Sequence, residues 1–160
     1  MPNVTSSLIG VNLTRVDDSA QFPSGTLVNL SDGGQAMYVK SSTSALSTYA
    51  AVAIGVGGIA TMLTSTIAEA NVRVGFAQTS VGTSKYGWVQ LGGNPLVNLA
   101  AQCDDGVPLF TTATAGVLDD ATVSAGYIMG LTSSRTISNA TAVTCLGAAQ
   151  VHVGRYGGGA

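Results

Sequence analysis

The clearest chemical spacing in the sequence lies at residues 55–60, GVGGIA, which fit the pattern G-x-G-x-x-A. In dinucleotide-binding folds, such glycines let the backbone approach a pyrophosphate at the N-terminus of a helix. Here the next residues are β-branched and rich in Thr, and the acidic residue expected about 20 positions further on is absent. The segment is therefore predicted to be a hairpin of two apolar strands that turns at Gly57-Gly58, with no nucleotide site.

The other residues capable of chemistry are few and poorly grouped. His152 is the only histidine, and no Gly-x-Ser-x-Gly turn accompanies it to indicate a Ser-His-Asp triad. Cys103, Cys145 and His152 cannot supply four zinc ligands at the usual close spacing. Adjacent Asp pairs occur at 17–18, 104–105 and 119–120. None of these pairs lies in a D-x-D-x-D-G frame, and Asp is common in turns. The sequence therefore predicts no catalytic residue, no metal site and no cofactor.

Charge is unusually scarce in this chain. Only 9% of the 160 residues are charged, against about 25% in an ordinary globular domain. The net charge is −2 and no basic run occurs, so the sequence offers no electrostatic footprint for nucleic acid. Because a surface of Ser, Thr, Ala and Gly with few charges is prone to association, we expect it to be covered by neighbouring subunits.

Targeting signals and membrane spans are not apparent. The first residues lack a basic n-region, and the longest apolar stretch, residues 50–63, is interrupted by Gly and Thr. A membrane span requires about 20 apolar residues, and that stretch is shorter. Cys103 and Cys145 make no disulfide framework and are expected to be buried thiols that act as small hydrophobic side chains. These features predict a chain made in a cytoplasm, with no membrane partner.

The dominant periodicity of the chain is two, which is typical of β-strands with two different faces. Apolar residues alternate with small or polar ones in LIGVNLT, RVGFA, YGWVQ and VHV, and Asp-Gly or Gly-Gly turns separate such runs. The sequence predicts an all-β fold, a small sandwich or barrel of about eight to eleven short antiparallel strands. We expect an extended N-terminal arm over residues 1–20, a single β-rich domain over 21–156, and a Gly-rich tail over 157–160.

Two longer segments carry a family resemblance. One runs from Val74 to Ser134 and reads VGFAQTSVGTSKYGWVQLGGNPLVNLAAQCDDGVPLFTTATAGVLDDATVSAGYIMGLTSS, and the other is FPSGTLVNLSDGGQAMYVKSS further upstream. Together they resemble the head decoration, or capsid cement, proteins of tailed bacteriophages over residues 22–134. The resemblance implies a non-enzymatic, β-rich and commonly trimeric protein. Such a protein docks on the major capsid protein at the outer surface of the mature virion and strengthens the shell.

Alternative functions remain open at this point. The chain could be another virion component, such as a tail, fibre or shell protein, or a β-rich binding protein that recognises ice or carbohydrate. For a docking function, Ile9, Val11 and Leu13 on the arm are candidate interface residues, because an alternating strand can add to a neighbour's sheet edge. Tyr86 and Trp88 share one strand face and are expected to be either core residues or anchors at an interface.

Overall fold

The structure is a computed structural model that describes residues 11–68, 72–121 and 126–154. Within these ranges the chain forms twelve β-strands and one single-turn 3-10 helix at Val56–Gly58, with no α-helix. The strands are β1 (Val16–Asp17), β2 (Leu27–Asn29), β3 (Gln35–Ser41), β4 (Ala51–Ile54), β5 (Ile59–Met62), β6 (Arg73–Ala77), β7 (Tyr86–Gln90), β8 (Leu96–Leu99), β9 (Pro108–Thr111), β10 (Leu118–Asp119), β11 (Tyr127–Ser133) and β12 (Thr141–Gly154). Candidate interface residue Ile9 and the Gly-rich tail lie outside the described residues.

The prediction of a small all-β sandwich or barrel is confirmed. The strand count of twelve is slightly above the expected range, because β1 and β10 are two-residue strands that are too short to show alternation. Most strand pairs are antiparallel as expected, but β3 pairs with β5, and β8 with β10, in parallel. These two parallel pairs arise where the chain crosses over to close the sheet on itself.

The sheet closes into two rings of five strands each. The first ring runs β3-β5-β4-β6-β7 and returns to β3, and the second runs β12-β11-β9-β10-β8 and returns to β12. Strands β6 and β12 pair with each other and join the rings, with Val74 opposite Val151 and Arg73 opposite His152. Closure gives nearly every strand a neighbour on both sides, which removes the unpaired edges that an open sheet would expose.

The hairpin predicted at the glycine-rich segment is confirmed. Strands β4 and β5 pair antiparallel, and the 3-10 turn joins them. Gly57 and Gly58 have φ angles of 73° and 71°, a left-handed conformation that glycine adopts without steric cost. A Cβ on Gly58 would also lie 2.7 Å from the backbone nitrogen of Gly25. These glycines therefore serve the turn and the close packing of two loops.

Three apolar clusters hold the rings together. The first fills the first ring and draws side chains from all five of its strands. The second fills the other ring and packs it against the outer faces of β4 and β6, through Ala51, Val74 and Phe76 among others. The third lies on the outer face of β3 and β7, where the N-terminal segment and β2 cover Tyr38 and Trp88. Alternating residues of one strand therefore enter different clusters, which is why the strands show a period of two without a polar face.

Candidate functional site

The aromatic candidates from the sequence lie in the outer cluster of the first ring. Trp88 is only 2% exposed, and its ring centroid lies 5.2 Å from that of Tyr38 and 5.4 Å from that of Phe22. Tyr86 is half-buried and stacks on Tyr38 at 6.1 Å, with the Lys40 ammonium 5.6 Å from the Tyr86 ring centroid. Of the two roles expected for Trp88, the core role is therefore the one that its burial indicates. Tyr86 keeps a partly accessible ring.

The described part of the N-terminal arm folds back on the same cluster. Val11 and Leu13 are buried there, while Asn12 between them is exposed. Residues 11–15 form no strand; instead the Asn12 side-chain oxygen accepts a hydrogen bond from the Thr14 backbone N–H at 2.9 Å. Strand β1 follows and pairs with β7 of the same chain. The expectation that Val11 and Leu13 belong to a strand is therefore wrong, and this chain's own aromatic cluster covers their apolar faces. Their contact with a neighbouring subunit stays a prediction.

A buried carboxylate ties the arm to the domain. Asp17 accepts hydrogen bonds from the Tyr38 hydroxyl and the Arg15 Nε, both at 2.7 Å. Desolvation by burial raises the pKa of Asp17, but the two hydrogen bonds and the Arg15 charge outweigh it and hold that pKa below its ordinary value. Burial and the same hydrogen bond raise the pKa of Tyr38. The Asp17 carboxylate therefore links the arm to β3 through its hydrogen bond with Tyr38.

An exposed apolar surface stands at the turn of the β4–β5 hairpin, and sequence reasoning did not single it out. Val56 is 99% exposed, and Ile59 and Ile67 are exposed beside it; we name these three residues the hairpin-tip patch. They line a shallow groove of about 460 Å³ together with Ala53 and Val72. The available sequence signal was a valine placed between turn glycines, a position where an apolar side chain has no covering element. The patch is thus an unpaired apolar surface on a well-anchored hairpin.

A second concavity lies on the other side of the same turn. It is a cleft of about 630 Å³ lined by the 55–58 turn, Met37, Ile54, Val72, Arg73 and His152. Its described lining contains no acidic residue. The Nε of Arg73 is buried and has no hydrogen-bond partner in the described part of the chain. The structure thus places His152, the only histidine, in the same cleft as the glycine turn at residues 55–58, a juxtaposition that the sequence did not predict.

The two cysteines are free and fully buried in the cluster of the second ring. Burial raises the pKa of the Cys103 thiol to about 11, with a further contribution from the negative charges of Asp120 and Asp119. Burial also raises the pKa of Cys145 to about 12, with a smaller contribution from Cys103. These thiols stay protonated at neutral pH and pack as small hydrophobic groups, which confirms the interpretation made from the sequence.

The described residues hold no metal cluster and no membrane-spanning helix. Across residues 11–68, 72–121 and 126–154, no cluster of three or more His, Cys, Asp or Glu side chains is placed to hold a metal ion. In the same ranges no helix has the length and apolar character to cross a membrane. The chain matches no protein-family model, and comparison with curated proteins finds no significant match.

Proposed function

We propose that this protein is a structural virion component that docks on the outer surface of a mature tailed-phage head and stabilises the shell, acting as a homotrimer and without enzymatic activity. The resemblance of residues 22–134 to head decoration proteins and the 9% charge content support this proposal. The observation that carries it is the hairpin-tip patch, an apolar surface that one copy of the chain leaves open to solvent. In this proposal the major capsid protein covers the patch.

The energetics of the patch fit a docking role. Fully burying one valine or isoleucine side chain stabilises a complex by about 1.5–3 kcal/mol. Val56 is almost fully exposed, and Ile59 and Ile67 each have more than a third of their surface exposed. A partner that covers the patch would therefore gain a large part of this burial free energy. The turn that presents it is fixed by its glycines and by the β4–β5 ladder, so little conformational entropy is lost on binding. A rigid apolar projection of this kind suits a pocket in a regular lattice.

The stabilising mechanism follows from mass action. Packaged DNA pushes outward on a filled head because its phosphates repel one another. A protein that binds the intact lattice but not its ruptured form stabilises the intact shell by RT ln(1 + [L]/Kd) at each site. Repeated over many sites of one lattice, even modest docking free energies shift the balance strongly toward the closed shell.

Docking can be tested on heads of the source phage that were assembled without this protein. We expect the wild-type chain to bind them and to raise their rupture temperature. Val56→Asp should lose binding, because it places a charge in an apolar contact. It should melt like the wild type, because the Val56 side chain is exposed and packs on nothing in the described part of its own chain. Leu146→Asp is the matched control, since Leu146 is 55% exposed on a different strand. Equal rupture temperatures with and without the bound protein would remove the reinforcing role.

The salt dependence and the oligomeric state give two further checks. Docking through apolar burial should change little between about 0.1 and 1 M salt, because screening acts on exposed charges. A steep loss of binding over that range would contradict an apolar interface. Sedimentation of the free protein should show a trimer, since the charge-poor surface favours self-association in a closed assembly. A stable monomer at micromolar concentration would contradict the trimer.

A further inference from the structure

The environment of Arg73 differs from that of the other described basic residues near the first ring. Arg15 pairs with Asp17, Lys85 pairs with Asp18, and Lys40 lies over the ring of Tyr86. Arg73 is half-buried, its Nε is shielded from solvent, and no described side chain or carbonyl accepts its hydrogen bond. More than nine in ten buried polar groups in proteins are hydrogen-bonded, so the described residues leave the hydrogen bonding of this guanidinium incomplete.

The strand register places Arg73 in a defined row of side chains. Ile54, Arg73, His152 and Met129 lie directly opposite one another across β4, β6, β12 and β11. Residues opposite one another on neighbouring antiparallel strands share a face of the sheet and approach within about 5.5 Å at their Cβ atoms. The row therefore presents a guanidinium and an imidazole side by side, with an apolar side chain at each end.

The chemistry of this row selects a class of ligand. The two terminal nitrogens of a guanidinium form a fork that matches the two oxygens of a carboxylate, and only the Nε of Arg73 is shielded from solvent. The described lining has one permanent positive charge and no acid, so it balances one negative charge rather than two. Met37, Ile54, Val56 and Val72 line the rest of the cleft and would cover an aliphatic group. We propose that this cleft binds a carboxylate that carries a short aliphatic chain.

The proposal goes beyond the docking function and does not depend on it. The carboxylate would accept hydrogen bonds from the Arg73 fork, and His152 would donate a further one from its ring. The same chemistry could come from a free fatty-acid-like molecule or from an acidic side chain of another protein. The competing explanation is that the Arg73 stem merely closes the end of the first ring and leaves its head group in water. In that case no carboxylate should bind at Arg73.

The test is a titration of isotope-labelled protein observed by NMR at the Arg73 Nε–H and the His152 ring, at constant ionic strength. The probes are sodium hexanoate, acetate, inorganic phosphate and a blocked tripeptide with a central glutamate. Each fully buried methylene improves affinity about fourfold, so burying two of them should make hexanoate bind at least about tenfold more tightly than acetate. Tighter binding of hexanoate than of the peptide would indicate a free acid as the natural ligand, and the reverse order a protein side chain.

Three variants make the test specific. Arg73→Gln should weaken hexanoate binding at least about tenfold, because it removes a charge-assisted hydrogen bond, while Arg73→Lys keeps the charge and should lose less. Arg135→Gln, at an exposed position on the β11–β12 connection, should bind like the wild type. Melting curves of the variants show whether they are folded, and the wild-type titration stands even if Arg73→Gln unfolds.

Three results would overturn the proposal. The first is an Arg73 Nε–H signal that does not move with hexanoate up to about 100 mM, a concentration at which even a very weak site is occupied. The second is equal binding by a folded Arg73→Gln variant. The third is tighter binding of phosphate than of hexanoate, which would contradict the assignment of a singly charged ligand with an aliphatic group.

Discussion

The contact between the arm and the aromatic cluster makes a quantitative prediction for Leu13→Ala. Leu13 is 3% exposed and packs in the cluster that contains Tyr38 and Trp88. Leu→Ala changes in protein cores cost about 2–5 kcal/mol, and the cost falls where the surroundings can collapse into the space. Because the arm is a single layer without strand pairing at this point, we expect the lower part of that range, about 2–3 kcal/mol.

The assay is urea unfolding followed by tryptophan fluorescence, since Trp88 is the only tryptophan and lies in the affected cluster. The midpoint should fall with an unchanged slope, and the melting temperature should drop by about 5–10 °C for a chain of this size. Leu146→Ala is the control, because the same substitution at a residue that is 55% exposed should cost less than about 1 kcal/mol. If the two variants lose the same stability, the arm does not pack on the domain in solution.

Three further predictions concern other parts of the fold. Because the folded-state pKa of Asp17 is lowered, its contribution to stability is present above its ordinary pKa of about 3.9 and is lost as the pH falls through the folded value. Asp17→Asn should therefore be less stable at neutral pH and lose less on acidification, and parallel melting-temperature curves for variant and wild type would contradict this. Cys103 and Cys145 should react with a thiol reagent only after unfolding; rapid labelling of the native protein would show that they are not buried. Gly92→Ala should cost about 3 kcal/mol, since its Cβ would lie 1.8 Å from the Ala148 backbone oxygen on β12, and a variant that melts normally would show that Gly92 does not pack on β12.

The features that sequence reasoning predicted correctly are local ones. The turn at Gly57-Gly58 follows from residues that tolerate a positive φ angle between two apolar runs, and no distant contact is needed to recognise it. The all-β class follows from the period of two, which each strand carries by itself. The burial of Cys103 and Cys145 follows from their chemical character in a chain with few polar partners for a thiol.

The features that it missed depend on which distant segment covers a given face. Alternation shows that Val11 and Leu13 share a face, but the same pattern is satisfied by a neighbouring subunit or by the chain's own aromatic cluster. The closure of the two rings depends on non-local pairs, including the parallel pair of β8 with the two-residue strand β10. The cleft at Arg73 joins side chains that are far apart in the sequence. No local pattern encodes such a meeting, because it results from strand order.

Ring closure also determines how this chain can associate. Strand addition requires an unpaired edge, and in the described residues the strands bordered on only one side are the short β1 and β2. Few charges are available either, since Arg15 and Lys85 are engaged with Asp17 and Asp18 of the same chain. What remains for a partner is side-chain surface, and its most exposed apolar part projects from the hairpin at Val56. Because most of its strand edges are paired in the two rings, the described part of the chain offers a partner such side-chain projections and the cleft beside them rather than a free strand edge.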